Sequence, residues 1–130
     1  MPPTVLIVED AETCASILEI LVSSIPGLNA MTATSADEAW QVLEEEDEPV
    51  QAIVTDLQMA GMDGFELMER VRSHKVHSKA PIIVITGCTD PDVTERARLG
   101  GANAVFLKPY SPARVREKLE QLLSYDNPRD

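Results

Sequence analysis

Four short runs along the chain are apolar at every position: Val5-Leu6-Ile7-Val8, Ala52-Ile53-Val54, Ile82-Ile83-Val84-Ile85 and Ala104-Val105-Phe106-Leu107. None alternates apolar with polar residues, as a strand with one wet face does. Continuous apolar runs of this length suit strands buried on both faces, which occur in parallel sheets covered by helices. A weaker run, Asn29-Ala30-Met31-Thr32-Ala33, lies between the first and the second.

The intervening segments carry the helical period. Cys14, Leu18, Leu21 and Ile25 form one stripe, which Pro26-Gly27 closes. Ser35 opens a second helix with Glu38 three residues on, the capping-box spacing, and Ala36, Ala39, Trp40 and Leu43 line one side. Its tail, Glu44-Glu45-Glu46-Asp47-Glu48, is expected to fray before Pro49 because its like charges repel. A third helix, Gly64 to Arg72, carries Leu67, Met68 and Val71. Asp90-Pro91 opens a fourth, which Gly100-Gly101 stops. Ser111-Pro112 opens a fifth, with Val115, Leu119 and Leu122 as its stripe and an end near Leu123.

Five β-α pairs in succession predict an α/β fold: a five-stranded parallel sheet whose right-handed crossovers place helices on both faces. No repeat or linker interrupts the 130 residues. One domain is expected, with a core over about residues 4–123 and residues 124–130 as a loose tail.

Composition removes several function classes. Lys+Arg is 11 against 22 Asp+Glu, a formal net charge of -11. Binding to nucleic acid needs a local excess of basic residues, and docking on an anionic membrane is disfavoured by the same balance. Cys14 and Cys88 have no zinc spacing and each falls beside apolar residues, so both read as reduced, core-like positions. The N-terminal MPPTVLIVEDAET has neither the basic region of a signal peptide nor an apolar run long enough to span a bilayer, so a cytoplasmic protein is expected. His74 and His77, in SHKVHSK, read as a surface loop in preference to a metal site. Tyr110 either packs locally or belongs to a docking face.

In sheets of this kind the binding site lies outside the carboxyl ends of the strands. After the four strong runs come Glu9 and Asp10, Asp56, Thr86 with Gly87 and Cys88, and Lys108 with Pro109. Singly, each acid reads as a turn residue or helix cap, the lysine as a solvated side chain and the threonine as a strand end. Jointly they crowd three carboxylates onto one edge. Such a cluster either shares protons or holds a cation. Hard oxygen ligands suit Mg²⁺, which keeps several waters and uses only one or two direct carboxylates, leaving room for a phosphoryl group.

In this order and spacing, the residues resemble the receiver domain of two-component response regulators. The matching pieces are Glu9-Asp10, Asp56 in TDLQMAGMDG, Thr86 followed by Gly87 thirty residues on, and Lys108-Pro109 fifty-two residues on. The resemblance covers residues 4 to about 123. It implies a flavodoxin-like (βα)5 doubly wound sheet with strand order 2-1-3-4-5. It also implies that Asp56 accepts a phosphoryl group from the phosphohistidine of a sensor histidine kinase or phosphotransfer protein, or from a small phosphodonor. Asp10 and Asp56 would bind Mg²⁺ directly together with the backbone carbonyl of Gln58, and Glu9 mainly through metal-bound water. Lys108 would pair with the phosphoryl group, aimed inward by a cis Lys108-Pro109 peptide, and the Thr86 hydroxyl would bond the group after transfer. The output is a switched surface for a downstream protein target or output domain, and the family leaves room for a homodimer formed on phosphorylation.

Four positions depart from the commonest receiver residues. Ala60 stands where a proline usually stiffens the loop after the acceptor. Val105 stands where an aromatic often swings inward, and its neighbour Phe106 should face the other way, so a muted or backbone-led switch is expected. Gln58 and Cys88 occupy the two positions that tune self-dephosphorylation in this family. Competing readings are a receiver-like interaction module outside phosphorylation control and an aspartate-nucleophile phosphohydrolase of the haloacid-dehalogenase type. The latter needs an aspartate where Gln58 stands. No Gly-rich loop follows the first run, so nucleotide binding is not supported. The expected protein is a single-domain regulator, or a receiver at the start of a larger one.

Overall fold

The computed structural model describes residues 3–58, 61 and 63–126. Ten elements alternate: β1 (Thr4–Val8), α1 (Glu12–Ser23), β2 (Asn29–Ala33), α2 (Ala36–Glu45), β3 (Ala52–Thr55), α3 (Gly64–Ser73), β4 (Ile82–Thr86), α4 (Pro91–Leu99), β5 (Ala104–Leu107) and α5 (Pro112–Asp126). All strand pairs are parallel, in the order β2-β1-β3-β4-β5.

Alternation along each strand sends side chains to two separate cores. Leu6, Val8, Ile53, Ile82 and Val84 pack against Leu43 of α2, Leu67 and Met68 of α3 and Ala97 of α4. Val5, Ile7, Val54, Ile83 and Ile85 pack against Leu18, Leu21 and Val22 of α1 and Val115 and Leu119 of α5. Every residue of β1, β3 and β4 is buried. β5 is different: its run looks as apolar as the others, yet it forms an edge of the sheet and Leu107 is 43% exposed. Val105 joins the α2–α4 core and Phe106 the α1–α5 core, so the two do face opposite ways. Among the described residues no helix is long and apolar enough to cross a membrane.

The helix starts follow their caps. The Ser35 hydroxyl accepts from the Glu38 N–H at 3.0 Å. The reciprocal bond falls one residue earlier than the capping box places it, because the Glu38 carboxylate accepts from the N–H (2.6 Å) and hydroxyl (2.9 Å) of Thr34. Asp63 and Asp90 cap α3 and α4 through the N–H groups of Glu66 and Asp92, both at 2.9 Å. Helix α1 stops at Ser23, ahead of Pro26, where the Ser24 hydroxyl donates to the Leu21 carbonyl at 2.6 Å. Helix α5 continues to Asp126, three residues past its expected end, which corrects the extent of the loose tail. Residues 127–130 of that tail lie outside the described residues.

The edge of the sheet at the strands' amino ends carries a second correction. His77 is fully buried, not part of a surface loop. Its Nδ1 accepts from the Val50 N–H at 3.4 Å, so Nε2 carries the proton and donates to the Leu43 carbonyl at 2.9 Å. Burial pulls its pKa below the usual histidine value and the nearby His74 adds to this. The Leu43 bond and Glu46 oppose it. The neutral ring thus ties the end of α2 to the start of β3. Beside it, the Arg72 guanidinium donates to the carbonyls of Ser78 (2.9 Å), Ala80 (2.8 Å) and Gly101 (2.6 Å) and to the Asn103 side chain (3.2 Å). Gly101 has φ +113, and a Cβ there would lie 2.6 Å from Arg72 Nε, so both conformation and room demand glycine.

Candidate functional site

The opposite edge gathers the ends of β1, β3, β4 and β5. Glu9 follows β1 and is 3% exposed. Its N–H donates to the Ala33 carbonyl at 3.0 Å and its Oε2 accepts from the Ala11 N–H at 3.1 Å. Asp56 follows β3, anchored by its own N–H on the Val8 carbonyl at 3.2 Å. Asp56 Oδ1 accepts from the N–H groups of Leu57 (2.6 Å) and Gln58 (3.2 Å). Lys108 follows β5, its N–H donating to the Thr86 carbonyl at 2.8 Å, and the Lys108-Pro109 peptide is cis. The Lys108 ammonium reaches Asp56 Oδ2 at 3.0 Å and Glu9 Oε1 at 3.3 Å. Thr86 is fully buried, and its hydroxyl oxygen accepts from the Cys88 N–H at 3.2 Å.

The electrostatics of this cluster are unbalanced. Burial pushes the Glu9 carboxyl above its usual range and the nearby Asp56 adds to this. The Ala11 N–H and Lys108 pull the other way. Burial alone would lower the Lys108 pKa, but Asp56 and Glu9 together outweigh it and hold the ammonium above its usual value. One ammonium thus faces two carboxylates, and Asp10, exposed beside Glu9, makes a third. The ionised set therefore carries a surplus of two negative charges.

That surplus and the donor chemistry fit a hard divalent cation. Among the described residues no three His, Cys, Asp or Glu side chains converge closely enough to form an all-protein cage. Mg²⁺ does not need one, because it retains waters and takes one or two carboxylates. Buried Asp56 and Glu9 with exposed Asp10 meet that requirement.

The expected residues Glu9, Asp56, Thr86 and Lys108 are brought together, with Asp10 on the solvent side. Gln58 contributes its N–H to Asp56, and Cys88 is half-buried next to Thr86. Ala60, the expected loosening of the loop, lies outside the described residues. Tyr110 is half-buried and packs against the α1–α5 core, which favours the local of its two readings. Its phenol pKa is raised, first by burial, then by Cys14 and Glu9, against Lys108. Two residues beside Asp56 carried no functional reading in the sequence: Thr55, whose hydroxyl donates to the Asp56 carbonyl at 2.8 Å, and Gly64, whose N–H donates to the Leu57 carbonyl at 3.0 Å. Their faint signals were a hydroxyl closing an apolar strand and a poor helix former at the first helical position.

A family model described as the response regulator receiver domain matches residues 5–120. A chemotaxis protein CheY homolog of Campylobacter jejuni is 31% identical over 118 residues, covering 91% of this chain and 90% of the relative. Chemotaxis protein CheY1 of Helicobacter pylori is 30% identical, covering 91% of this chain and 94% of the relative. Among solved structures, the signal receiver domain of a DNA binding response regulator from Colwellia psychrerythraea superposes with TM-score 0.84 at 26% identity, covering 93% of this chain and 98% of that one. The receiver domain of a sensor histidine kinase from Pseudomonas aeruginosa, solved with a magnesium ion in its active site cleft, gives TM-score 0.83 at 21% identity, covering 95% of this chain and 99% of that one, a likeness of fold alone.

Proposed function

The chain belongs to the response regulator receiver domain family, and on that premise we propose that it accepts a phosphoryl group on Asp56. The observation that carries this reading is the Lys108 ammonium held 3.0 Å from Asp56 Oδ2 and 3.3 Å from Glu9. A positive charge beside the Asp56 carboxylate, at the carboxyl edge where β1, β3 and β5 end, supports that role.

The donor is the phosphohistidine of a sensor histidine kinase or phosphotransfer protein, or a small phosphodonor. An Asp56 carboxylate oxygen attacks phosphorus in line, the P–N bond of phosphohistidine breaks, and the imidazole leaves with the electron pair. Charge spreads over the three equatorial oxygens in the transition state, so catalysis is mostly positioning and charge stabilisation. Lys108 stabilises that charge, the N–H groups of Leu57 and Gln58 orient the carboxylate, and the Thr86 hydroxyl bonds the group after transfer. Asp10, Asp56 and the Gln58 backbone carbonyl would hold Mg²⁺, with Glu9 acting through its water. The ion supplies further positive charge to the phosphoryl oxygens. The protein is a signalling domain that catalyses its own phosphorylation and hydrolysis in the cytoplasm. Its phosphorylated surface addresses a downstream protein, and with Val105 in place of an aromatic, packed against the α2–α4 core, the change is muted or led by the backbone around Thr86.

Incubation with Mg²⁺ and acetyl phosphate, followed by intact mass, tests the reading. The expected result is one added phosphoryl group, absent when Mg²⁺ is chelated. No gain of mass, or gain that ignores chelation, counts against it.

A further inference from the structure

The main chain at Asp56 is closely confined. Thr55 is 1% exposed, and its hydroxyl donates to the Asp56 carbonyl at 2.8 Å. Gly64, the first residue of α3, is buried against the same carbonyl. A Cβ on Gly64 would lie 2.5 Å from the Asp56 oxygen, 2.8 Å from Leu57 Cα and 3.1 Å from Leu57 Cδ2. Gly64 does not adopt the left-handed backbone region, unlike Gly27, Gly61 and Gly101. Glycine is therefore required here for room, not for conformation. Two of those three contacts are with backbone atoms, which cannot rotate aside. The backbone they belong to is itself fixed: the Asp56 N–H is on Val8, and the Leu57 carbonyl accepts from the Gly64 N–H.

We infer that Thr55 and Gly64 are positioning residues for the acceptor. Together they fix the Asp56 carbonyl, one by a hydrogen bond and one by the absence of a side chain. The inference rests on the reading of Asp56 as the phosphoryl acceptor. Moving the Asp56–Leu57 peptide moves the carboxylate with it, and also the Leu57 N–H, the nearer of the two that orient the carboxylate. A displacement of about 1 Å in a reacting group can cost about 100-fold in rate. Thr55 and Gly64 therefore act on the limiting rate of transfer and not on the encounter with the donor.

The test measures phosphorylation across a series of acetyl phosphate concentrations with Mg²⁺ present, together with the melting temperature of each variant. Gly64→Ala is expected to lower the limiting rate by about 10- to 100-fold while leaving the half-saturating donor concentration unchanged. Thr55→Val keeps the side-chain shape, and is expected to slow the limiting rate a few-fold with the same split. Val115→Ala, in the α5 core away from the site, serves as a stability control and is expected to keep the wild-type rate despite a lower melting temperature. A folded Gly64→Ala within twofold of wild type overturns the inference. If Gly64→Ala does not fold, Thr55→Val decides, and the wild-type rate there overturns it. A Val115→Ala slowed as much as the other variants overturns it too, by assigning the effect to stability. A wild-type protein that takes up no phosphoryl group brings down the acceptor reading and the positioning claim with it. Normal uptake by wild type and Gly64→Ala alike removes the positioning claim only.

Discussion

The two edges of one sheet bury polar groups in opposite ways. At the amino edge, Arg72 meets three carbonyls and an amide oxygen, and His77 is neutral between Val50 and Leu43. Every partner is neutral and fixed, and the polar groups stitch connecting segments together. At the carboxyl edge, Glu9 and Asp56 share one ammonium, Lys108, and Asp10 lies exposed beside Glu9 as a third carboxylate. Among the described residues no buried side-chain polar atom lacks a hydrogen-bond partner, so both edges are satisfied as hydrogen-bond networks. They differ in charge. Where hydrogen bonds are matched and partners neutral, the network holds structure. Where carboxylates outnumber cations, the edge is left with an attraction for a cation, obtained at some expense of stability.

Substitutions at the two edges should therefore separate activity from stability. The largest expected effect is Lys108→Ala, which removes the fixed positive charge at the acceptor. Phosphorylation by acetyl phosphate should fall by about 10²–10³-fold, the usual loss for one preorganised electrostatic group. A rate within threefold of wild type would merge the two edges into one kind of network. Next is Arg72→Ala, which strips four hydrogen bonds and leaves the part-buried carbonyls of Ser78, Ala80 and Gly101 without their guanidinium donor. A destabilisation of about 2–4 kcal/mol in urea titrations is expected, with the phosphorylation rate of the folded protein unchanged. A slowed rate would show that the amino edge also serves the site.

Third, His77 should make part of the amino edge's stability depend on pH. Its folded pKa lies below the usual histidine value of 6.5, so the unfolded chain takes up the proton first. Its contribution is complete above about pH 6.5 and is lost as pH falls from there through the folded value. Unfolding measured at pH 7.5 and at pH 5.5 should show a larger loss in wild type than in His77→Gln, and equal losses would remove His77 from the account. The smallest expected effects are those of Gln58→Ala and Cys88→Ala, which should alter the lifetime of the phosphorylated form without altering stability. Unchanged dephosphorylation rates in both would leave timing to other residues.

What the sequence revealed follows the same division. The central strands were legible because burial on both faces leaves an unbroken apolar run, and the starts of α2 and α4 because Ser35 and Asp90 are local caps. Glu9, Asp56, Thr86 and Lys108 were legible because β-α units place their loops at one edge. The exposure of Leu107 was not legible, since an apolar run does not state how many neighbours its strand has. His77 was hidden by the polarity of SHKVHSK, because its burial depends on Val50 and Leu43, distant in sequence. Helix α5 outran its apolar stripe because nothing before Pro128 breaks it, and a residue preceding proline disfavours the helix only there. Gly64 was read only as a helix start, because its need for room is set by a carbonyl eight residues earlier.

The central claim is that the carboxyl edge makes Asp56 a phosphoryl acceptor. Its most direct test is chemical trapping: the protein is treated with Mg²⁺ and acetyl phosphate, reduced with borohydride, digested and sequenced by mass spectrometry. Reduction of an aspartyl phosphate leaves homoserine, and the account predicts homoserine at position 56, and none there in protein not exposed to acetyl phosphate. Homoserine at Glu9's neighbour Asp10 or at any other aspartate, with position 56 unmodified, would contradict it.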